Sequence, residues 1–468
     1  MQVIIDIGYW CAIINKNDVG GLFMKKIGEL KTYASKDIDK NPVSIGFECM
    51  DRDVINPDKC YKLLGESGVK HARCQTGWVK CETQKGVYDF SWLDKIVDTL
   101  ISMGIKPWFN VGFGNPIYMP DVPNPSAVGC MPIFYGDEVV TAWKKYIRAM
   151  AKHYKGRVEY FEIWNETDLT HFCYPGEPDP KTYAEFIVLT GDEIKKEIPN
   201  AKIGACTAGS QLHYMIDLFA TIPAGKLDFY GFHTYSLMPE DCGIITRHKI
   251  LREVLNYYGH KNTEIWTGEC GHASWHPDGH WMVHEGGGSE RRQAVWQLRR
   301  YFTDFNNHFP IVSFFQIADM MEKPYEKAKE VLKFPARQGI LNGKVYTPKL
   351  SYYTISRLST VFAGDFEITA IPFEIDFDTE FEKIKMSYKK GENDILAYWL
   401  KIEIAKETPL ESGAKIDIRN TNIKNPIAID MFDGSVYKVD FDKKAKTVLD
   451  APIGDYPILI CDESAFEF

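Results

Sequence analysis

Ser91-Trp92-Leu93-Asp94-Lys95-Ile96-Val97-Asp98-Thr99-Leu100-Ile101-Ser102-Met103-Gly104 followed by Ile105-Lys106-Pro107-Trp108-Phe109-Asn110-Val111 reads as one helix feeding one strand. In the first part Trp92, Leu93, Ile96, Val97, Leu100 and Ile101 recur at helical spacing. Ser91 is expected to cap the helix with Asp94 at the capping-box position, and Gly104 to stop it. The second part is a short apolar run rich in aromatic and β-branched residues, the pattern of a strand buried on both faces. The same alternation runs through most of the chain. Candidate strands fall at Val43–Cys49, Val69–Gln75, Ile105–Val111, Val158–Trp164, Ala201–Cys206, Leu227–His233, Thr263–Glu269 and Ile311–Gln316, and helical patterns follow them, the last being Leu350–Val361. Eight such units predict an α/β fold, a closed parallel (β/α)8 TIM barrel over residues 42–362. An open doubly wound sheet is the alternative, but no G-x-G-x-x-G opens any of its helices.

Beyond Phe362 the helical period stops. Phe366–Phe377, Phe381–Tyr388, Ile395–Ile404, Ala414–Arg419, Ile427–Met431, Val436–Phe441 and Ile458–Cys461 read as strands between Gly, Asp and Asn turns, so residues 363–468 are expected to form an all-β sandwich. Residues 1–41 hold no barrel unit. Their strand-like start, Gln2–Ile7, is expected to pair with that sandwich.

Composition excludes several classes of function. The 468 residues are 45% hydrophobic and 25% charged, with a net charge of −9 and both signs dispersed, so no nucleic-acid footprint is present. Met1-Gln2-Val3-Ile4-Ile5-Asp6 has no basic leader, and no run approaches the roughly 18 apolar residues of a membrane span. Eleven dispersed Cys without a C-x-x-C pair suit reduced thiols and a cytoplasmic chain, where the glycosylation triplet Asn165-Glu166-Thr167 has no meaning. Aromatic residues reach 13%, which serves both core filling and stacking on ligands.

In such a barrel, polar residues at strand C-termini carry the chemistry. The fourth strand ends Tyr160-Phe161-Glu162-Ile163-Trp164-Asn165-Glu166, and the seventh ends Glu264-Ile265-Trp266-Thr267-Gly268-Glu269. Glu166 and Glu269 are therefore expected to face each other across one mouth. Two carboxyls flanking a glycosidic bond are what its cleavage requires: one protonates the leaving oxygen while the other attacks the anomeric carbon.

These strand ends resemble the signature of clan A glycoside hydrolases, and within that clan the chain is similar to glycoside hydrolase family 39, the β-xylosidase family. Phe161–Glu166 matches the family's acid/base strand, Phe232-His233-Thr234-Tyr235 its sixth-strand motif, and Gly339-Ile340-Leu341 with Pro348-Lys349 its last barrel turn. The resemblance implies a retaining glycosidase with Glu166 as acid/base and Glu269 as nucleophile. It implies Asn165 on the sugar 2-hydroxyl, Tyr235 on the nucleophile, His233 beside substrate or acid/base, and Arg73 supporting the nucleophile. Retention implies carboxyls about 5–5.5 Å apart. The substrates would be short β-linked, or α-L-arabino-configured, glycosides; a carbohydrate-binding pseudoenzyme and a transglycosylase are the alternatives on the same barrel. No cofactor or metal is expected, and family likeness allows a homo-oligomer.

Departures from the family stand at Thr167, where it usually has Pro, at Cys270, where it has an aromatic, and in Phe314-Phe315-Gln316-Ile317-Ala318-Asp319, which lacks the eighth-strand Trp. The last changes the floor of the sugar site, so xylose specificity does not carry over.

Gln75, Trp78, Trp108, Trp275 and Trp281 complete the expected substrate contacts, with Trp164 and Trp266 also placed near strand ends. His272, His276, His280 and His284 recur every four residues, a stripe of metal ligands on a continuous helix, but Pro277-Asp278-Gly279 breaks it, and the segment reads as the loop after the seventh strand. Gly286-Gly287-Gly288-Ser289 reads as a hinge and N-cap, and Gly114–Phe134 as a loop shaping a subsite.

Overall fold

In the computed structural model, the described residues are 24–209, 211–240, 243–275, 287–320, 337–404 and 410–468. Strand β1 (Lys25–Glu29) precedes a closed barrel of eight parallel strands: β2 (Val43–Gly46), β3 (His71–Gln75), β4 (Lys106–Val111), β5 (Tyr160–Ile163), β6 (Lys202–Thr207), β7 (Phe229–His233), β8 (Glu264–Cys270) and β9 (Val312–Phe314). The barrel closes where β2 pairs with β9, Val43 opposite Val312 and Ile45 opposite Phe314. Each of the eight strands falls on its run read from sequence, shorter by up to three residues at an end or longer by one, because the apolar pattern of these buried strands is continuous. Between β7 and β8 the register shifts, which sets His233 opposite Glu269.

Helix capping differs from the sequence reading. The helix Ser91–Ser102 begins with Ser91 already inside it; Asp89 Oδ1 accepts from the Ser91 amide at 2.9 Å. Asp94 is drawn instead to His153 on the next helix and to Arg157 just past its end, 2.7 and 2.9 Å away, so the capping box does not form. Gly104 does end the turn, in the left-handed conformation at φ 72°. Ser289 caps the helix Glu290–Asn306, its Oγ accepting from the Arg292 amide at 3.1 Å.

The C-terminal strands are β10 (Phe366–Thr369), β11 (Glu374–Asp376), β12 (Lys383–Lys390), β13 (Asn393–Leu400), β14 (Glu411–Asp417), β15 (Pro426–Asp430), β16 (Ser435–Lys438), β17 (Phe441–Asp442), β18 (Thr447–Ile453) and β19 (Ile458–Asp462). They build a seven-stranded sheet, β1-β16-β15-β19-β13-β12-β10, and a four-stranded one, β11-β14-β18-β17, all antiparallel. Tyr398 on β13 donates to the Pro452 carbonyl on β18 at 2.8 Å, tying one sheet to the other. Two predicted strands are each cut in two: Pro372 separates β10 from β11, and the chain between β16 and β17 likewise changes sheets. Strand β18 is an addition to the sequence reading. β1 joins the larger sheet at its edge, Lys25 opposite Lys438; the strand expected at Gln2–Ile7 lies outside the described residues.

A buried ion pair locks barrel to sandwich. Glu240, just past β7, accepts from Arg299 Nε and Nη2 at 2.6 Å each and from Trp399 Nε1 at 2.8 Å, while Arg299 Nη1 donates to the Ile402 carbonyl at 2.7 Å. With every partner committed, removing one leaves the others buried and uncompensated. Arg299→Ala is therefore expected to lower unfolding free energy by about 3–5 kcal/mol, measured by denaturant titration; a loss below ~1 kcal/mol would show that the seam does not depend on it.

Candidate active site

The barrel mouth is organised around Arg73 on β3, which is fully buried with its guanidinium over the Trp108 ring at 5.5 Å. Nε donates to Glu162 Oε1 at 3.0 Å and Nη2 donates to the same oxygen, while Nη2 also reaches Asn165 Oδ1 at 2.8 Å. Nη1 donates to Glu48 Oε2 at 2.8 Å and to Glu269 Oε2 at 3.1 Å. One cation thereby ties the ends of the first, fourth and seventh barrel strands to the second. Asn110 on β4 adds donors to Glu162 Oε1, 2.8 Å, and to the Trp164 carbonyl, 2.6 Å.

Glu269 sits near the end of β8 and also accepts from Tyr235 Oη at 2.5 Å. Burial and the adjacent Glu269 raise the Tyr235 phenol well above its ordinary value, so it remains a donor. Glu166 follows β5 on a turn in which Trp164 (φ 67°) and Glu166 itself (φ 42°) take positive φ, a conformation side-chain-bearing residues rarely adopt. His233 Nδ1 lies 3.0 Å from Glu166 Oε1 and 3.5 Å from Glu269 Oε2. A carboxylate oxygen of Glu166 and one of Glu269 fall within 4.8 Å of each other.

Burial first, and then the negative charge of Asp168, raise the Glu166 carboxyl to about 7, against the pull of Arg73 and His171. Burial likewise pushes Glu48 upward, with Glu269 and Glu162 adding to it and Arg73 opposing. Burial lowers His233, which favours the neutral imidazole.

Glu166, Glu269, Asn165, His233, Tyr235 and Arg73 thus converge. Other expected contacts do not. Gln75 is buried and its amide is engaged internally: Oε1 accepts from the Cys49 amide (3.1 Å) and Arg52 Nη1 (2.9 Å), and Nε2 donates to Glu48 Oε2 (3.1 Å). Trp78 is fully buried, stacked between Tyr118 and Tyr146 with Nε1 donating to Glu82 at 2.6 Å. Trp108 and Trp266 point into the barrel, where with Phe229 and Ile311 they form a plug beneath Arg73. Trp164 is buried too, donating to the Phe172 carbonyl at 2.7 Å. These indoles fill space between elements, so none presents a face to a sugar. Trp275 is 46% exposed, with the Arg337 guanidinium 4.5 Å over its ring. His272 is buried, its Nδ1 2.9 Å from the Ala273 carbonyl; Trp281, His276, His280 and His284 lie outside the described residues.

Glu48, Glu162, Asn110 and Cys206 are site residues that the sequence reading did not assign. The available signal was a lone charge inside an apolar strand run, as in Phe161-Glu162-Ile163 and Gly46-Phe47-Glu48. Among the described residues, two triads have the spacing to hold a metal ion: Glu166, His233 and Glu269, and Glu162, Cys206 and His233. In the second, Arg73 bonds Glu162 and comes within 4.0 Å of Cys206 Sγ, so a cation there would meet a guanidinium.

The family model described as glycosyl hydrolases family 39 matches residues 59–263. The resemblance is to glycoside hydrolase family 39. A β-xylosidase of Geobacillus stearothermophilus is 25% identical over 168 residues, 32% of this chain and 31% of that protein, and one of Caldicellulosiruptor saccharolyticus is 24% identical over 196 residues, 37% and 38% respectively. The chain thus matches about a third of the length of these curated relatives. A family 39 glycoside hydrolase from Bacteroides cellulosilyticus shares the fold at TM-score 0.69 and 15% identity, over 93% of this chain and 83% of that one. A family 39 β-xylosidase from Caulobacter crescentus does so at 0.57 and 17%, over 93% and 98%.

Because Trp78 is packing, Trp78→Ala is expected to cost about 3–5 kcal/mol of stability while leaving KM for a good substrate within twofold of the parent. Calorimetry and steady-state kinetics below the melting transition check both halves; a large KM rise would return Trp78 to the sugar.

Proposed function

We propose that the protein is a retaining glycoside hydrolase acting by double displacement on short β-linked or α-L-arabino-configured glycosides. The observation that carries this is the spacing of Glu166 and Glu269, whose nearest oxygens lie within 4.8 Å. Inverting enzymes hold their carboxyls about 6.5–9.5 Å apart to seat a water, and retaining ones about 5–5.5 Å. The family 39 match and the β-xylosidase relatives support the same class of reaction.

In this reading Glu269 attacks the anomeric carbon, aimed by donors from Arg73 and Tyr235. Glu166 protonates the leaving oxygen and then, as a carboxylate, takes a proton from water to release the sugar. The Asn165 side chain, anchored through Oδ1 by Arg73, keeps its amide NH2 for the 2-hydroxyl. The glycone is left open here, since the eighth-strand segment Phe314–Asp319 departs from the β-xylosidase pattern.

The acid must be protonated for the first step, and its folded-state value is near 7. kcat/KM is therefore expected to fall tenfold per pH unit above it, a basic limb absent from Glu166→Gln, whose kcat should drop about 10²–10⁴-fold with unactivated leaving groups. A panel of 2-deoxy-2-fluoro glycosides should leave one glycosyl adduct, mapped by peptide mass to Glu269, and the fastest label identifies the glycone. Labelling elsewhere, or a turning-over Glu269→Gln protein, would overturn the mechanism.

A further inference from the structure

His233 lies beside both carboxyls, hydrogen-bonded to Glu166 and close to Glu269, and its tautomer decides what it offers them. Its Nδ1 faces Glu166 Oε1 and Glu269 Oε2 at 3.0 and 3.5 Å. An Nδ1 lone pair would be repelled by the Glu269 carboxylate, whereas an N–H is attracted to it and also serves Glu166 once that carboxyl has given up its proton. The opposite nitrogen must then accept, and its partner among the described residues is the Cys206 thiol, with Sγ 3.1 Å from Nε2.

We propose that Cys206 is a positioning residue: its S–H donates to His233 Nε2 and so holds the His233 proton on Nδ1, where it is shared between Glu166 and Glu269. The thiol is itself held from behind. The Cys206 amide donates to Tyr183 Oη at 2.8 Å, and that hydroxyl donates to the Ile163 carbonyl at 2.5 Å, linking β6 to the strand that ends in Glu166. On its other side His233 passes close to Gly268: a Cβ there would stand 3.1 Å from Nε2, so glycine leaves the imidazole its place. Burial pushes the thiol well above its ordinary value, so sulfur keeps its proton, and burial keeps the imidazole neutral. The other charges around the imidazole are Arg73, Glu162 and Asp168. Arg73 is already bonded to Glu48, Glu162, Glu269 and Asn165, and Asp168 to the Ala208 amide.

The consequence deepens the proposed double displacement and rests on it. Negative charge resides on Glu269 before attack and on Glu166 once the acid has given up its proton. A single N–H lying between the two oxygens serves each in turn without a change of rotamer. The proton stays on Nδ1 throughout, beside Glu269 at 3.5 Å and bonded to Glu166 at 3.0 Å.

Two measurements test this on the whole chain. Long-range 1H–15N correlation with 15N-histidine, assigned through a His233→Gln sample, needs no substrate. It is expected to show His233 protonated on Nδ1 in the parent and a population protonated on Nε2 in Cys206→Ala. In kinetics, Cys206→Ala should lose about three- to tenfold in kcat with KM little changed. Its basic limb should move upward by about half to one pH unit, because the Glu166 carboxylate loses a donor that favours its charged form. Cys206→Ser, which keeps a donor, should recover most of both. An Nε2 proton in the parent would overturn the proposal, as would Ala and Ser variants that match each other in kcat and limb. If Cys206→Ala does not fold, the parent tautomer decides. Failure of the glycosidase reading would appear separately, as absence of an adduct on Glu269.

Discussion

Arg73 is the constraint on which the barrel mouth depends. A guanidinium removed from water costs several kcal/mol unless its N–H groups find acceptors, and here they find Glu48, Glu162, Glu269 and Asn165. Those acceptors end three other strands, so satisfying one cation fixes where those ends stand relative to one another. The Trp108 plug below gives the planar group an apolar floor. Placement of Glu269 is in this sense a by-product of solvating Arg73 inside the protein.

The two carboxyls that face each other differ through their surroundings. Glu269 receives donors from a cation and a phenol. Glu166 sits on a turn of positive φ, beside Asp168 and away from direct guanidinium contact, where burial keeps it protonated up to about neutral pH. His233 spans the gap, and behind it Cys206 and Tyr183 connect the imidazole to strands whose sequence shows no periodic sign of that link. The result is a chain of donors and acceptors from β6 to the mouth.

Much of this was legible along the chain. The eight barrel strands are continuous apolar runs, and period alone places them. Phe161–Glu166 and Phe232–Tyr235 carry their motif in consecutive residues. The β-sheet domain was less legible: Pro372 divides a run that looks continuous, and Thr447–Ile453, containing Asp450 and Pro452, looks like loop until β14 pairs with it. The tryptophans misled for a different reason. A large aromatic just past a strand end serves equally as core or as stacking surface, and Trp78 and Trp164 are buried by helices and loops distant in sequence.

What the sequence by itself determined is the barrel, the following β-sheet region and the pair Glu166 and Glu269, because each is encoded by local period or by a short run of residues. Tertiary structure decided what lies between the pair. The roles of Glu48, Glu162 and Cys206, and the internal commitment of Gln75, arise from contacts between residues 23 to 133 apart in the chain. Hydrogen-bond satisfaction in a closed barrel is a property of all eight strands together, and no single stretch of residues contains it.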